Sequence, residues 1–346
     1  MTEEMTITAA ADSVDERQVA SAPSGSRHCH RPGRHCGSSA VRDILEFHGL
    51  NVTESFCFGL GSGLGITYVE LPGKAIPFIV HVRSMGFEEK VFDTLGVPFG
   101  WSTYSDQDTA SAALEGILTA GRPALLLTDI YHLPYFNSGT HFPGHAIVAW
   151  HLRDDGETVL VSDTERPDLL PVPRQNLANA RFSLTPPFIH HGNLFAPETL
   201  DLVVVKERVL NAIVHNAKTL REGNRHSGLQ ALDTWIEDLP RWRAQSSWKW
   251  LLRFAYQVIE KRGTGGGGFR LMYAEFLREA EALIPAIQRL GLPDLMDACA
   301  VAWSGLAAVL KEASESDHFP EAELAIAIGN VRNVESTYVR AVSTLS

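Results

Sequence analysis

Cysteine is scarce, long apolar runs are missing, and positive charge is in deficit. Four cysteines (Cys29, Cys36, Cys57 and Cys299) spread through 346 residues exclude a disulfide-built scaffold, and a reducing compartment keeps such thiols free. A cysteine that matters here is expected to matter chemically. Unbroken apolar stretches, such as 124–127 and 202–205, fall far short of the roughly 20 residues that cross a bilayer, so no membrane span is expected. Thirty Lys and Arg oppose 41 Asp and Glu, a formal charge of −11, and a nucleic-acid binder would carry the opposite sign. The deficit is spread as −4 over residues 1–26, −4 over 27–225 and −3 over 226–346, so no segment is a basic module. Residues 1–26 are acidic and lack the basic and apolar regions of a secretory signal, which points to the cytoplasm.

The length exceeds two typical domains of about 150 residues. With 45% hydrophobic and 21% charged residues, the chain has the ordinary balance of a soluble globular protein. Residues 1–26 show no periodicity and read as a disordered tail. From 37 to 48, Ala40, Val41, Ile44 and Leu45 recur at helical spacing, and Gly49 supplies a left-handed stop. Gly-rich loops follow, then a helical stretch over 108–120 and a buried strand at 124–127 after the turn Gly121-Arg122-Pro123. Two β-type runs, 145–151 and 158–163, flank Arg153-Asp154-Asp155-Gly156-Glu157 and read as a hairpin. A further strand is expected at 200–205. Beyond Lys206, helical patterns take over at 229–242, 248–261, 269–286, 295–312 and 321–342. The expected division is a catalytic domain over 27–205, a linker over 206–226 and a helical domain over 227–346, an α+β chain with an all-α C-terminal part.

Cys36 falls in the first turn of the 37–48 helix, where free backbone N–H groups and the positive end of the helix dipole favour a thiolate. Its spacing to Ala40 and Ile44 turns the sulfur toward the packed face. For any cysteine the bland alternative is a small buried hydrophobe. What lifts Cys36 above it is a histidine and an acid downstream, because a thiolate nucleophile needs a base and the base needs an orienting partner. His145 and Asp163 supply these if the hairpin register allows. A three-residue loop over Asp154, Asp155 and Gly156 pairs Arg153 with Glu157, and hence His145 with Glu165, which sets Asp163 diagonal to His145 on the same face. A two-residue Asp155-Gly156 turn shifts the pairing by one and puts Asp163 on the other face.

The run RHCGSSAVRDILEFHGL, Thr53-Glu54 followed by FGLGSGLGITY, then GRPALLLTDIYHLPYF, GHAIVAWHLRDDGETVLVSDTERP and LANARF resemble the N-terminal domain of the butirosin-biosynthesis protein H family, over residues 28–205. The segment QVIEKRGTGGGGFRLMYAEFLREA resembles the helical domain of unknown function that commonly follows it. The resemblance implies a papain-like cysteine peptidase fold, similar to the bacteriocin-leader peptidases, put to acyl transfer. It gives Cys36 the role of thiol, His145 that of base and Asp163 that of orienting acid, and it makes Glu54 a substrate-side residue. The leader peptidases place a Gln shortly before their cysteine as an oxyanion donor. Here His30, Arg31, Pro32, Gly33, Arg34 and His35 stand there, so the donor is expected to be the Cys36 amide with another group, or His35.

Asp129, Tyr131 and Tyr135 follow one expected strand and precede the next, which suits polar tips on a substrate pocket. The alternative for the tyrosines is packing with satisfied hydroxyls. Asp129 is also the reserve orienting acid. His28, Cys29, His30, His35 and Cys36 are zinc's ligand types, yet no second pair follows at finger spacing and a structural ligand cannot also be a free nucleophile, so no metal is expected. His190-His191 beside Gly192 reads as loop. Gly59, Gly61, Gly63 and Gly65 fit no dinucleotide fingerprint and are expected to shape a tight loop near the site. Gly263, Gly265 and Gly268 satisfy G-x-G-x-x-G but follow a helix instead of a strand. That loop, with Arg270 in the next helical turn, is either a plain turn or a phosphate or carboxylate site. Trp235, Trp242, Trp248, Trp250 and Trp303 are expected to fill the helical core.

The function expected is acyl transfer from a thioester, on an acyl carrier protein's phosphopantetheine arm or on another thiol, through acyl-Cys36 to a small-molecule amine acceptor, forming an amide (or ester) in natural-product biosynthesis. The helical domain would pack against the catalytic one as a lid over the thiol. No cofactor is required, the phosphopantetheine entering only as the substrate's arm, and neither nucleic acid nor membrane is an expected partner. An acidic carrier would need Arg and Lys gathered at a docking patch to overcome the −11 charge. Hydrolysis of the same acyl-enzyme, as in a peptidase or amidase, is one alternative, marked by loss of a fragment. A non-catalytic binding module is the other, marked by a Cys36 no more reactive than Cys57 or Cys299.

Overall fold

A computed structural model describes residues 29–345 apart from 72, 74–76 and 187; the tail expected over 1–26 lies outside them. The first helix, α1 (Cys36–Phe47), starts at the cysteine. His35 is its N-cap and accepts from the Ser38 amide, while Ala40, Val41, Ile44 and Leu45 are buried along one face. Thr53 caps α2 (Glu54–Leu60) by accepting from the Phe56 amide. There follow an antiparallel hairpin of β1 (Leu64–Glu70) and β2 (Phe78–Arg83), then α3 (Phe87–Leu95) and α4 (Gln107–Thr119), the last capped by Asp106.

The sequence suggested only Gly-rich loops between α1 and α4. The glycines misled because they serve close packing, not turning. A Cβ on Gly59 would strike the Phe276 ring, on Gly61 the Phe87 ring and on Gly65 the Arg83 carbonyl, each nearer than 3.0 Å.

The remaining strands are β3 (Ala124–Thr128), β4 (His145–Leu152), β5 (Thr158–Ser162), β6 (Leu170–Pro173) and, after α5 (Arg174–Arg181), β7 (Leu194–Phe195). They form one antiparallel sheet in the order β6-β5-β4-β3-β7. Alternation divides its side chains. Leu125, Val148, Trp150 and Phe195 join the interior that includes α1, whereas Leu126, Ile147, Ala149 and Val161 join a second cluster with α4 and α5.

The C-terminal region is helical: α6 (Lys206–Arg221), α7 (Gly228–Arg243), α8 (Trp248–Glu260), α9 (Arg270–Ala280), α10 (Ala286–Arg289), α11 (Leu292–Glu315) and α12 (Glu321–Val342). It corrects several expectations. Most of 206–226 is not a linker but α6, buried through Val209, Ile213 and Leu220. Asn216 on α6 brackets Leu64, accepting from its amide at 3.2 Å and donating to its carbonyl at 2.7 Å. No strand forms at 200–205, and the pattern at 269–286 breaks after Ala280. Trp235, Trp242 and Trp303 are core, but Trp250 is exposed. By length and apolarity α11 is a candidate to cross a membrane, contrary to expectation. Its Met296, Cys299, Trp303 and Leu310 are nevertheless fully buried, with α8, α9 and α12 packed around it.

The helices share one continuous interior with α1, α2 and the β1–β2 hairpin. In that interior α9 packs on α2, so the helical region supports the cysteine's loop from behind. The expected anion site is also corrected. Arg270 is fully buried, 2.6 Å from Glu335 and donating to the carbonyls of Val82 (2.8 Å) and Gly268 (2.7 Å), with Trp303 under its guanidinium. Gly263, Gly265 and Gly266–268 take positive φ, and a Cβ on Gly263 would press on the Arg34 carbonyl, on Gly267 on Ala300. The loop is a packing element without room for a ligand.

Arg270→Ala would leave the Glu335 carboxylate buried beside no cation. We expect it to lose about 3–5 kcal/mol of unfolding free energy in urea, with Arg270→Met/Glu335→Leu recovering much of that loss.

Candidate active site

The hairpin of β4 and β5 decides whether the acid meets the histidine. Next to the turn, Arg153 N–H donates to the Thr158 carbonyl at 2.9 Å and Leu152 pairs with Val159, the register of a two-residue turn. Between Ala149 and His151 the ladder shifts, and beyond it Val148 pairs with Ser162, the register of a three-residue loop. The bulge at Trp150 therefore adds the one residue that returns Asp163 to the His145 face.

His145 opens β4 with its Nε2 at 2.8 and 2.9 Å from the two carboxylate oxygens of Asp163. With Nε2 so engaged, Nδ1 is the nitrogen left for the Cys36 sulfur, to which His145 is hydrogen-bonded. The Ala146 amide donates to the same sulfur. Burial opposes the Cys36 thiolate, but the His145 hydrogen bond and charge, the Arg83 charge and the Ala146 N–H outweigh it and bring the pKa below the ordinary thiol value. Burial likewise opposes the His145 cation, yet Asp163 and the sulfur lift it to about 10. Asp163, itself buried, is held below the usual carboxylate range by His145 and Tyr135. The lowered thiol pKa and the raised imidazole pKa both favour the thiolate–imidazolium form of the pair.

Residues 35–164, which hold all three side chains, match the family described as butirosin biosynthesis protein H, N-terminal. Over these residues the chain is similar to the N-terminal domain of that family. That family's description ties it to butirosin biosynthesis. Residues 175–342 match a domain of unknown function, DUF4872. No curated protein matches the chain. The second match begins inside α5 and includes β7, which pairs with β3, so the sheet of the butirosin-H domain is completed from the next domain's sequence.

Around the thiol, the butirosin-H domain assigns several expected site residues to support. Glu54 accepts from the amides of Arg34 (2.9 Å) and His35 (2.7 Å) and from Ser38 Oγ (3.1 Å). Its lone pairs hold the turn before Cys36 and are not open to substrate. His35 is buried, its Nδ1 spent on the Ser38 amide at 3.1 Å and its ring edge-on to Phe58, Phe87 and Phe269. Burial pushes its pKa well down, and with Nδ1 accepting, its Nε2 is buried without a hydrogen-bond partner. Tyr135 donates to Asp163 Oδ2 at 2.6 Å, so it orients the acid. Tyr131 is half-exposed and stacks on His141 at 4.1 Å.

Asp129 is not the orienting acid of His145. Its Oδ1 accepts from the Tyr131 and Phe142 amides (3.1 and 2.9 Å), and its Oδ2 from His141 Nδ1 and Ser183 Oγ (2.7 and 2.6 Å). Asp129, His132 and His141 bring three donor atoms within 4.8 Å of one another, but both carboxylate oxygens are already saturated, and the group is a hydrogen-bonded cluster. The zinc-type residues upstream part company: Cys36 meets His145, His35 caps α1, and His30 turns to Asp43. His28 lies outside the described residues. His190 donates to the Pro143 carbonyl.

One element escaped the sequence entirely. His30 places Nδ1 2.6 Å from Asp43 Oδ2 and Nε2 2.7 Å from the Arg166 carbonyl, so both nitrogens donate and the ring is cationic. Asp43 also accepts from Ser162 Oγ at 3.0 Å, and the Gly33 amide donates to the Thr164 carbonyl at 2.6 Å. This clamp fastens the segment before Cys36 to the segment carrying Asp163. The available signal was an aspartate, Asp43, inside an otherwise apolar helical run.

Two outcomes are expected. Iodoacetamide near neutral pH should alkylate Cys36 and spare Cys57 and Cys299, whose thiols burial pushes far up, with His145→Ala slowing the reaction by at least about tenfold in peptide mass mapping. Burial lowers the His30 pKa, but Asp43 and the Arg166 carbonyl raise it overall. Its stabilisation is thus complete below the unfolded value and fades as pH climbs through the folded one. His30→Gln should therefore cost more unfolding free energy at about pH 5 than at about pH 9.

Proposed function

We propose that the chain is a cysteine acyltransferase of papain-like architecture, which takes an acyl group from a thioester onto Cys36 and gives it to an amine. The observation that carries this reading is the Cys36–His145–Asp163 set, with a lowered thiol pKa at a helix N-terminus and an acid-bound imidazole on the adjoining strand. The family's tie to biosynthesis favours making a bond over breaking one.

In the first half-reaction the Cys36 thiolate attacks the thioester carbonyl. The Cys36 backbone amide, together with another donor, would hold the oxyanion. The donor C–S bond breaks and the departing thiolate takes the proton of the His145 imidazolium. In the second half the amine nitrogen attacks the acyl-Cys36 carbonyl, its proton passes to the now neutral His145, and the Cys36 C–S bond breaks. Asp163 keeps the imidazole in one tautomer and orientation throughout. Thiol exchange is nearly isoenergetic and aminolysis of a thioester runs downhill, so neither ATP nor a metal is called for. A carrier-protein phosphopantetheine thioester is the donor class proposed.

The test is intact-mass spectrometry after incubation with acyl N-acetylcysteamine thioesters, followed by a primary amine. Wild type should gain one acyl mass and release it as amide, whereas Cys36→Ala and His145→Ala should gain none. Release as free acid alone would make the protein a hydrolase, and an adduct that persists in Cys36→Ala would remove the mechanism.

A further inference from the structure

Asp129 and His141 form a second acid–imidazole pair at the end of the sheet that carries the triad. Asp129 follows Thr128, which pairs with His145 across the ladder and donates its hydroxyl to the His145 carbonyl at 3.0 Å. Phe142, next to His141, has its ring 6.5 Å from that of His145. The carboxylate of Asp129 is fully buried, and burial alone would favour its neutral form. Ser183, His141 and the amides of Tyr131 and Phe142 overcome this and hold it below the usual carboxylate range.

That carboxylate fixes the imidazole. Nδ1–H of His141 points at Asp129 Oδ2, 2.7 Å away, with Thr185 Oγ1 3.3 Å from the same nitrogen. The lone pair is thereby left on Nε2. The His141 side chain is 40% exposed, Tyr131 stacks on one face, and His132 stands edge-on at 6.0 Å. A carboxylate needed only for the loop would be satisfied by two amides and Ser183. The fourth donor is instead an imidazole reaching solvent.

The acyl-transfer reading, on which this inference rests, leaves one proton without a destination. A primary amine arrives near neutral pH as an ammonium ion, as a lysine side chain with a pKa of about 10.4 does, and must lose two protons to become an amide nitrogen. His145 accepts one per turnover, because its other proton exchange is with the departing thiol.

The geometry points to the Asp129–His141 pair as the base that takes the first proton from a primary ammonium acceptor. His141 Nε2 accepts that proton as the acceptor docks, giving a neutral amine and an imidazolium stabilised by Asp129. The amine nitrogen forms the C–N bond as the Cys36 C–S bond breaks, and the second proton goes to His145, which restores the resting thiolate–imidazolium pair. His141 returns its proton to water. In total, thioester plus ammonium gives amide, thiol and one released proton.

The test compares single-turnover discharge of acyl-Cys36 by an alkylamine with discharge by hydroxylamine, which is neutral at the same pH, in wild type and His141→Gln. Glutamine keeps an N–H toward Asp129 but accepts no proton at the far end. Acylation of Cys36 should proceed at the wild-type rate in the variant, reporting an intact triad. Discharge by the alkylamine should fall about 100-fold, and discharge by hydroxylamine should stay within about twofold. Equal losses with both nucleophiles, or no loss with the alkylamine, would overturn the assignment of His141 and leave the acyl-transfer reading standing. Absence of an acyl-Cys36 species in wild type would instead overturn that reading, and the role of His141 with it.

Discussion

The Cys36 sulfur hydrogen-bonded to an imidazole that Asp163 holds from its other nitrogen is the contact around which this molecule is arranged. Burial penalises each charge separately. The pair survives because each member compensates the other and because Asp163, carrying a hydrogen bond from Tyr135, adds the second negative charge that the imidazolium needs. One pKa unit corresponds to about 1.4 kcal/mol, so the rise of His145 to about 10 reflects several kcal/mol of interaction that small displacements would forfeit. The surroundings are accordingly stiff: Glu54 grips the backbone before Cys36, and three aromatic rings close on His35.

Distance along the chain makes this stiffness a tertiary problem. Cys36 and Asp163 are anchored through His30, Asp43 and Ser162, so that the helix carrying Cys36 and the strand end carrying Asp163 are tied by hydrogen bonds that run through neither of those side chains. From the other side, α9 contributes Glu275, which pairs with Arg34 and accepts from Ser55 at 2.5 Å. The Gly-rich loop ahead of α9 lies against Arg34, and Phe269 stacks on Phe58. Phe269 itself adopts a left-handed backbone, a cost of order 1–3 kcal/mol accepted where the aromatic cage closes. The helical region is thus structural support for the segment that carries Cys36.

The sheet end carries two imidazole–carboxylate pairs with different surroundings. His145 and Asp163 are both buried and share the sulfur, whereas His141 extends a buried carboxylate toward solvent. One environment favours a permanent ion pair. The other leaves the far nitrogen of His141 open to whatever approaches it.

The sequence by itself determined the local elements with strong caps or clean periodicity: the helix beginning at Cys36, the strands of 124–128 and 145–152, and α12 over Glu321–Val342. It also supplied the three residue types of the site, because a cysteine at a helix start has the same dipole and the same free amides whatever it packs against. Tertiary structure decided the rest. The turn at Asp155-Gly156 permitted two registers, and only the bulge at Trp150, where that indole reaches Ser162 Oγ at 2.9 Å, selected the one that serves the triad. Glu54 and Arg270 looked like ligand-binding groups because their chemistry suits ligands, but the chain supplied their partners internally through contacts many residues away. Glycines at 59–65 concealed a helix and a strand because close approach between elements, which no local pattern encodes, was the reason for them.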